Sequence, residues 1–296
     1  MKIRKTREDR IVDAVAIVLS VIVFLICVYP IYYCLINSFN EGKDAARASV
    51  YLFPRNFTLD NYKVVFRNGS LLGAFGMTVL RTVAGTAAAI VLMGMAAFAL
   101  TNRKLVFRRF YMVFGIITLY FSASVVHQYI LYRELSLLDR FLVYILPNLY
   151  QFYYIILFIS FFDNLPSSLL ESARIDGASE FTVFFKVLFP LSTPVIATVA
   201  LFCGVWHWND WFHPAFFITS EKLMTLPAIL MRAMSLAEAQ QTMQKMMSTA
   251  AIQQSSTTME SVRYAMLIVA VAPITIIYPF IQKYFVKGMM IGSVKG

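Results

Sequence analysis

Apolar residues along this chain fall in long uninterrupted runs rather than in the alternating pattern of a half-buried strand. A helix needs about 20 such residues to cross the hydrocarbon of a bilayer. Six runs meet that length, at 13–37, 75–100, 111–131, 141–162, 194–218 and 264–282. The second is overlong, so its first turns lie in the interface or the span tilts. The pattern predicts an all-α integral membrane fold with six transmembrane helices. A single transmembrane domain would cover 13–282, between a short head (1–12) and a tail (283–296).

Composition agrees with the pattern. Of 296 residues, 59% are hydrophobic and 14% charged, with a mean hydropathy of +0.67; a soluble domain carries about 25% charged residues. The formal charge of +10 comes from Lys and Arg gathered at the ends of apolar runs, where anionic lipid headgroups attract them. It therefore points to membrane lipids and not to nucleic acid. Cys27, Cys34 and Cys203 all lie inside apolar runs and have neither a disulfide framework nor metal-ligand spacing. The first run, 11–39, is too long for the apolar region of a secretory signal and reads as a retained span.

Orientation follows from the positive residues kept on the cytoplasmic side. Lys2, Arg4, Lys5, Arg7 and Arg10 in the head, and Arg103, Lys104, Arg108 and Arg109 after the second run, belong inside. Both termini and the loop 163–193 are then cytoplasmic, and the loops 40–70 and 220–263 are external. The latter is long for a bundle connection, and its 235–247 portion has helical character.

The loop 163–193 is the most punctuated part of the chain. Asn164-Leu165-Pro166 breaks the fourth run, and Ser168-x-x-Glu171 has the form of a capping box. Leu169, Leu170 and Ala173 supply an apolar face, Arg174 sits at i+3 from Glu171, and Gly177 is placed to end a short helix in a left-handed conformation. Ser179 can cap a second helix, in which Phe181, Phe184, Phe185 and Leu188 form one stripe before Pro190 and Pro194 stop it. Two short amphipathic helices meeting at a glycine offer either a knob for a partner protein or a pair of interfacial helices resting on lipid.

The residues of this loop resemble a known motif. Glu171-Ser172-Ala173, three residues, Gly177, nine residues, then Val187-Leu188-Phe189-Pro190 is similar to the EAA loop of binding-protein-dependent ABC importer permeases. That pattern reads EAA, three residues, G, nine residues, I-x-L-P; Ser172, Val187 and Phe189 depart from it conservatively. The segments LFPRNFTLDNY (52–62), GVWHWNDW (204–211) and QKYFVKGMMIGSVKG (282–296) look like the maltose-type, oligosaccharide-uptake branch.

The resemblance implies a type I ABC importer permease subunit in the bacterial inner or plasma membrane, taking up an oligosaccharide or related carbohydrate. Its implied partners are a second homologous permease, two ATPase subunits that bind the ATP, and an extracellular or periplasmic sugar-binding protein. Glu171, Ser172, Ala173, Arg174, Asp176, Gly177 and Pro190 are the implied ATPase-coupling positions. Consistent with this, the chain has no G-x-x-x-x-G-K-[ST] phosphate cradle. It is expected to be no enzyme, with no cofactor, metal or catalytic residues of its own.

Candidate pathway residues are weighed separately. Arg81 is the basic residue well inside a run; it would face an anionic sugar or a partner carboxylate, or snorkel to the outer surface. Trp206, Trp208, Asn209 and Asp210, with His207 and Trp211, place indoles and polar groups in the fifth run, suited either to sugar contact or to inter-helix bonding. His127, Gln128 and Tyr129 in the third run are candidates for substrate contacts or for satisfied bundle residues. Gly85 and Ala89 form a small-x-x-x-small pair that lets helices approach closely. The rival reading is a gradient-driven secondary transporter of a small polar solute, whose signature would be broken helices and intramembrane acids.

Overall fold

The computed structural model describes residues 7–47, 50–67, 69–121, 123–247 and 258–293. Its helices in chain order are α1 (Arg7–Ser38), α2 (Gly42–Arg47), α3 (Asp60–Arg67), α4 (Gly69–Thr101), α5 (Arg108–Thr118), α6 (Val125–Glu134), α7 (Phe152–Phe162), α8 (Ser167–Ile175), α9 (Glu180–Thr182), α10 (Phe189–Leu191), α11 (Thr193–Asn209), α12 (Phe212–Phe217), α13 (Leu226–Met247) and α14 (Met259–Ser293). Short 3-10 turns cover Phe141–Tyr144, Leu146–Asn148 and Glu221–Leu223, and a π-turn covers Val183–Leu188. Among the described residues no strand forms beyond one isolated bridge between Asn40 and Phe57.

Among the described residues three helices are long and apolar enough to cross a membrane, within α1, α4 and α14, and two further pairs qualify as bent spans. The pairs are 141–148 with 152–162, bent by 51°, and 180–191 with 193–209, bent by 82°. The expected span at 111–131 is divided: α5 ends at Thr118 and α6 begins at Val125. Ser124 takes an extended conformation there, and its hydroxyl meets His127 Nδ1 at 2.7 Å. Such a local side-chain bond competes with helix continuation. The run 194–218 is likewise split, because Asp210 is extended and starts α12 instead of continuing α11. The expected helix at 235–247 is the second half of α13. Residues 1–6, 248–257 and 294–296, in the expected head, external loop and tail, lie outside the described residues.

The chain resolves into two compact units, 1–69 with 232–272 and 70–231 with 273–296. In the first, α1 exposes Ile17, Phe24, Leu25 and Ile26 around its surface, as expected of a helix whose solvent is lipid. A polar knot ties the expected external loops together. Asn61 donates to Ser38 O and Asn40 O, both at 2.9 Å, and accepts from Ser261 Oγ at 2.8 Å. Asn40 Oδ1 in turn accepts from the amides of Arg55 and Asn56. Ser38, Asn40, Asn61 and Ser261 are buried, so the bonds among them offset a desolvation cost.

In the second unit, α4, α7 and α11 pack around Met93, Ala97, Ile155, Phe158 and Val199. Small residues permit the closeness. A Cβ on Gly85 would lie 2.5 Å from His207 Nε2, and one on Gly115 would lie 2.1 Å from the Phe152 ring. The expected close approach at Gly85 and Ala89 is thus real, and the imidazole of His207 fills the space.

Gly115→Ala should lower the stability of the detergent-solubilised protein by about 1–3 kcal/mol, the cost of overpacking a filled contact, read as a fall in thermal midpoint. An unchanged midpoint would mean that α5 and α7 do not pack through this glycine.

Candidate functional site

Two groups of residues stand out in the second unit: a protruding knob at 167–191 and a buried charge cluster beside a cleft. The knob is built as the glycine predicts. Helix α8 closes in a Schellman arrangement, with Gly177 N donating to Arg174 O at 3.0 Å and Ala178 N to Ala173 O at 3.1 Å. Gly177 has φ +81, a conformation in which a side chain is strained. Ser179 then caps the next helix, its hydroxyl accepting from Thr182 N at 3.3 Å.

Three details differ from the sequence reading. The Ser168-x-x-Glu171 capping box does not form: α8 begins at Ser167 with Pro166 in the cap position, so the helix starts two residues early. Arg174 pairs not with Glu171 but with Glu180, at 2.9 and 3.0 Å through both guanidinium contacts. That hydrogen-bonded carboxylate raises the Arg174 pKa further and fastens the two short helices across Gly177. The pair is exposed, so its energetic contribution is small. The expected stripe is also rotated. The buried residues are Val183, Phe184 and Leu188, while Phe181 and Phe185 are exposed, because the turn from 183 to 188 is a wider π-turn rather than a regular helix.

The knob therefore has two faces. At its base, Phe184 and Leu188 join the core with α4 and α7, and Phe184 sits 3.3 Å from where a Cβ on Gly94 would be. At its tip, Glu171, Ser172, Arg174, Asp176 and Gly177 are exposed, Ala173 is half-buried, and Pro190 is exposed near the end. Ile175 is 85% exposed. Its place at the last helical position is the signal that periodicity reasoning passed over: it lies off the apolar face yet is large and apolar.

Arg81 of α4 is fully buried, with 0% exposure, and its guanidinium pairs with the Asp210 carboxylate. It also donates to Asp210 O at 3.0 Å, and it lies 4.4 Å from the Tyr144 ring centroid and 5.7 Å from that of Trp206. The expectations that Arg81 faces substrate or a partner carboxylate, or snorkels outward, are both replaced: its partner is in its own chain. Burial is tolerable because the charge is matched and stacked on aromatic faces. Asp210 is occupied on its other sides, accepting from Phe212 N at 2.9 Å and His213 N at 3.2 Å, with His213 Nδ1 at 2.8 Å. The ion pair thus fixes the corner between α11 and α12.

Beside this corner lies an open cleft lined by Tyr154, Trp206, Asn209, Asp210, Trp211 and Tyr278, among others. Of the expected pathway residues, the structure brings Trp206, Asn209 and Asp210 together here. Trp208 is buried elsewhere, edge-on to Phe75 at 5.8 Å. His127 and Gln128 are engaged at the start of α6, with Ser124 and with Ala123 O, and Tyr129 stacks on Phe217 at 6.5 Å; none of the three lines the cleft. No group of three or more potential metal ligands exists among the described residues.

The profile described as "binding-protein-dependent transport system inner membrane component" matches residues 90–291, and the chain belongs to that family. Similar over nearly full length is Protein LplC of Bacillus subtilis, 35% identical over 98% of this chain and 97% of its own. The polygalacturonan/rhamnogalacturonan transport system permease protein YtcP of the same organism is 31% identical over 98% of this chain and 100% of its own. Among solved structures, a chain of a bacterial ABC transporter involved in the import of the acidic polysaccharide alginate superposes with a TM-score of 0.84. It is 27% identical, over 96% of this chain and 100% of that one.

Replacing only one member of the ion pair, as in Arg81→Met, should cost about 3–5 kcal/mol because it leaves a buried charge without its partner. Adding Asp210→Leu to Arg81→Met should recover part of the loss in thermal midpoint. Additive losses would mean that the two side chains do not interact.

Proposed function

We propose that the chain is the permease subunit of an ATP-driven importer of an oligosaccharide or related carbohydrate, working with a second permease, two ATPase subunits and an external binding protein. The observation that carries the coupling part of this reading is the construction of the knob: rigidly rooted in the core at Phe184 and Leu188, exposed at Ile175 and Gly177. An element rooted in this way transmits a push on its tip to α4, α7 and α11. A pair of helices lying on lipid would not need its charged tip locked by Arg174 and Glu180. The carbohydrate part is supported by the relatives, among them the permease YtcP and a melibiose/raffinose/stachyose import permease of Bacillus subtilis.

In this reading the knob faces the cytoplasm and an ATPase cleft receives Ile175, flanked by Glu171 and Asp176. The nucleotide cycle moves the knob, and the pathway alternates between inward and outward openings. The loops that the buried knot of Asn40, Asn61 and Ser261 holds together are offered to the binding protein. A gradient-driven transporter would need an ionisable acid free to load and release a cation, whereas Asp210 is committed to Arg81 and His213.

The test is reconstitution of the complete complex in proteoliposomes, with uptake and ATP hydrolysis measured together. Ile175→Asp should weaken ATPase association about tenfold or more, as for loss of a central apolar anchor. Gly177→Leu, which meets no neighbouring atom within 4 Å but strains the φ of +81, should leave hydrolysis running and depress uptake. Full transport by the chain without any ATPase would contradict the reading.

A further inference from the structure

A second cavity, of about 240 Å³, is lined by Asn148, Gln151, Tyr154, Cys203, Trp206 and His207. It shares Tyr154 and Trp206 with the open cleft, so the two spaces adjoin at one indole. The volume is below the roughly 300–1,000 Å³ of a complete small-molecule pocket, which suits one ring of a longer chain.

Of its polar groups, Asn148 already donates through Nδ2 to Tyr144 O at 3.3 Å, which leaves its Oδ1 and second amide hydrogen. Gln151 occupies the cap position of α7 yet makes no capping hydrogen bond. His207 is 2% exposed, and its Nδ1 is buried without a hydrogen-bond partner. That nitrogen has no exposed surface, so His207 contributes a wall to the cavity and not a polar contact. Asn148 and Gln151 each offer both a donor and an acceptor, Tyr154 a hydroxyl, and Trp206 a half-exposed aromatic face.

The charge of the lining narrows the ligand. It contains no lysine, arginine, aspartate or glutamate. The nearby cation, Arg81, is taken by Asp210, and Asp210 itself lines the adjoining cleft. A carboxylate-bearing ring placed here would be desolvated with no cation to meet it.

We propose that this cavity is a subsite for one uncharged glycosyl ring of the passing substrate, with Trp206 as the stacking face and Asn148, Gln151 and Tyr154 as hydroxyl partners. The proposal rests on the carbohydrate reading above and adds to it which ring chemistry this subunit accepts.

Gln151 is the position to vary, because it is exposed and serves no packing or capping role. The complete transporter with its own ATPase, partner permease and binding protein would be assayed with maltotriose, cellotriose and arabinotriose as neutral probes and trigalacturonate as the anionic one. Uptake of a neutral probe should exceed that of trigalacturonate. Gln151→Leu should lower neutral uptake about three- to tenfold, the effect of one neutral hydrogen bond, at unchanged assembly and ATP hydrolysis, and Gln151→Asn should restore part of it. Unaltered uptake in Gln151→Leu, or preference of the wild type for trigalacturonate, overturns the subsite while leaving the importer reading standing. A complex that imports neither class contradicts the carbohydrate reading, and the subsite with it.

Discussion

The buried pair of Arg81 and Asp210 is the constraint around which the second unit is organised. Neither side chain can be desolvated alone at tolerable cost, so α4 and the end of α11 are obliged to meet. The meeting point is made possible by Gly85, whose missing side chain leaves room for His207 one turn before Asp210. Once Asp210 is held, its second carboxylate oxygen accepts from the amides of Phe212 and His213. The helix therefore cannot continue, and α12 leaves at an angle. Tyr144 and Trp206 stack on the guanidinium, which sets the orientation of an indole that lines both the cleft and the smaller cavity. One ion pair thus determines the chain path, the corner and the aromatic wall.

The knob obeys a different logic. Its root is apolar and fixed, its tip polar and accessible, and a single left-handed glycine separates the two helices that make it. The 82° turn between 180–191 and 193–209 follows from the buried Ser192, whose hydroxyl donates to Leu188 O at 2.7 Å, with Pro194 opening α11. Pro190 does not stop the preceding helix but lies within the short α10, where its missing amide falls in a first turn. Rigid attachment at the root and exposure at the tip are what a mechanical coupling element requires.

Much of this was legible in the sequence because it depends on local rules. The apolar runs, the break at Asn164-Leu165-Pro166, the left-handed Gly177 and the Ser179 cap each follow from one or two residues and their neighbours. What was not legible depends on distant partners or on backbone detail. Arg81 and Asp210 are 129 positions apart, so no pattern links them. The π-turn at 183–188 keeps Phe184 and Leu188 of the expected stripe buried but exposes Phe181 and Phe185 and buries Val183 in their place, a shift that regular periodicity cannot foresee. The interruption between α5 and α6 occurs at an apolar and serine-rich stretch without proline or glycine, and the capping box is lost because Pro166 takes the cap position two residues ahead of Ser168.

The central claim is that the ion pair holds the corner at 209–213. Hydrogen exchange across the peptides of α11 and α12, compared between the wild type and Arg81→Met in the same detergent, tests it most directly. The account predicts faster exchange of the Phe212 and His213 amides and of the end of α11, with 167–191 unchanged. Equal protection of that corner in both proteins would contradict it.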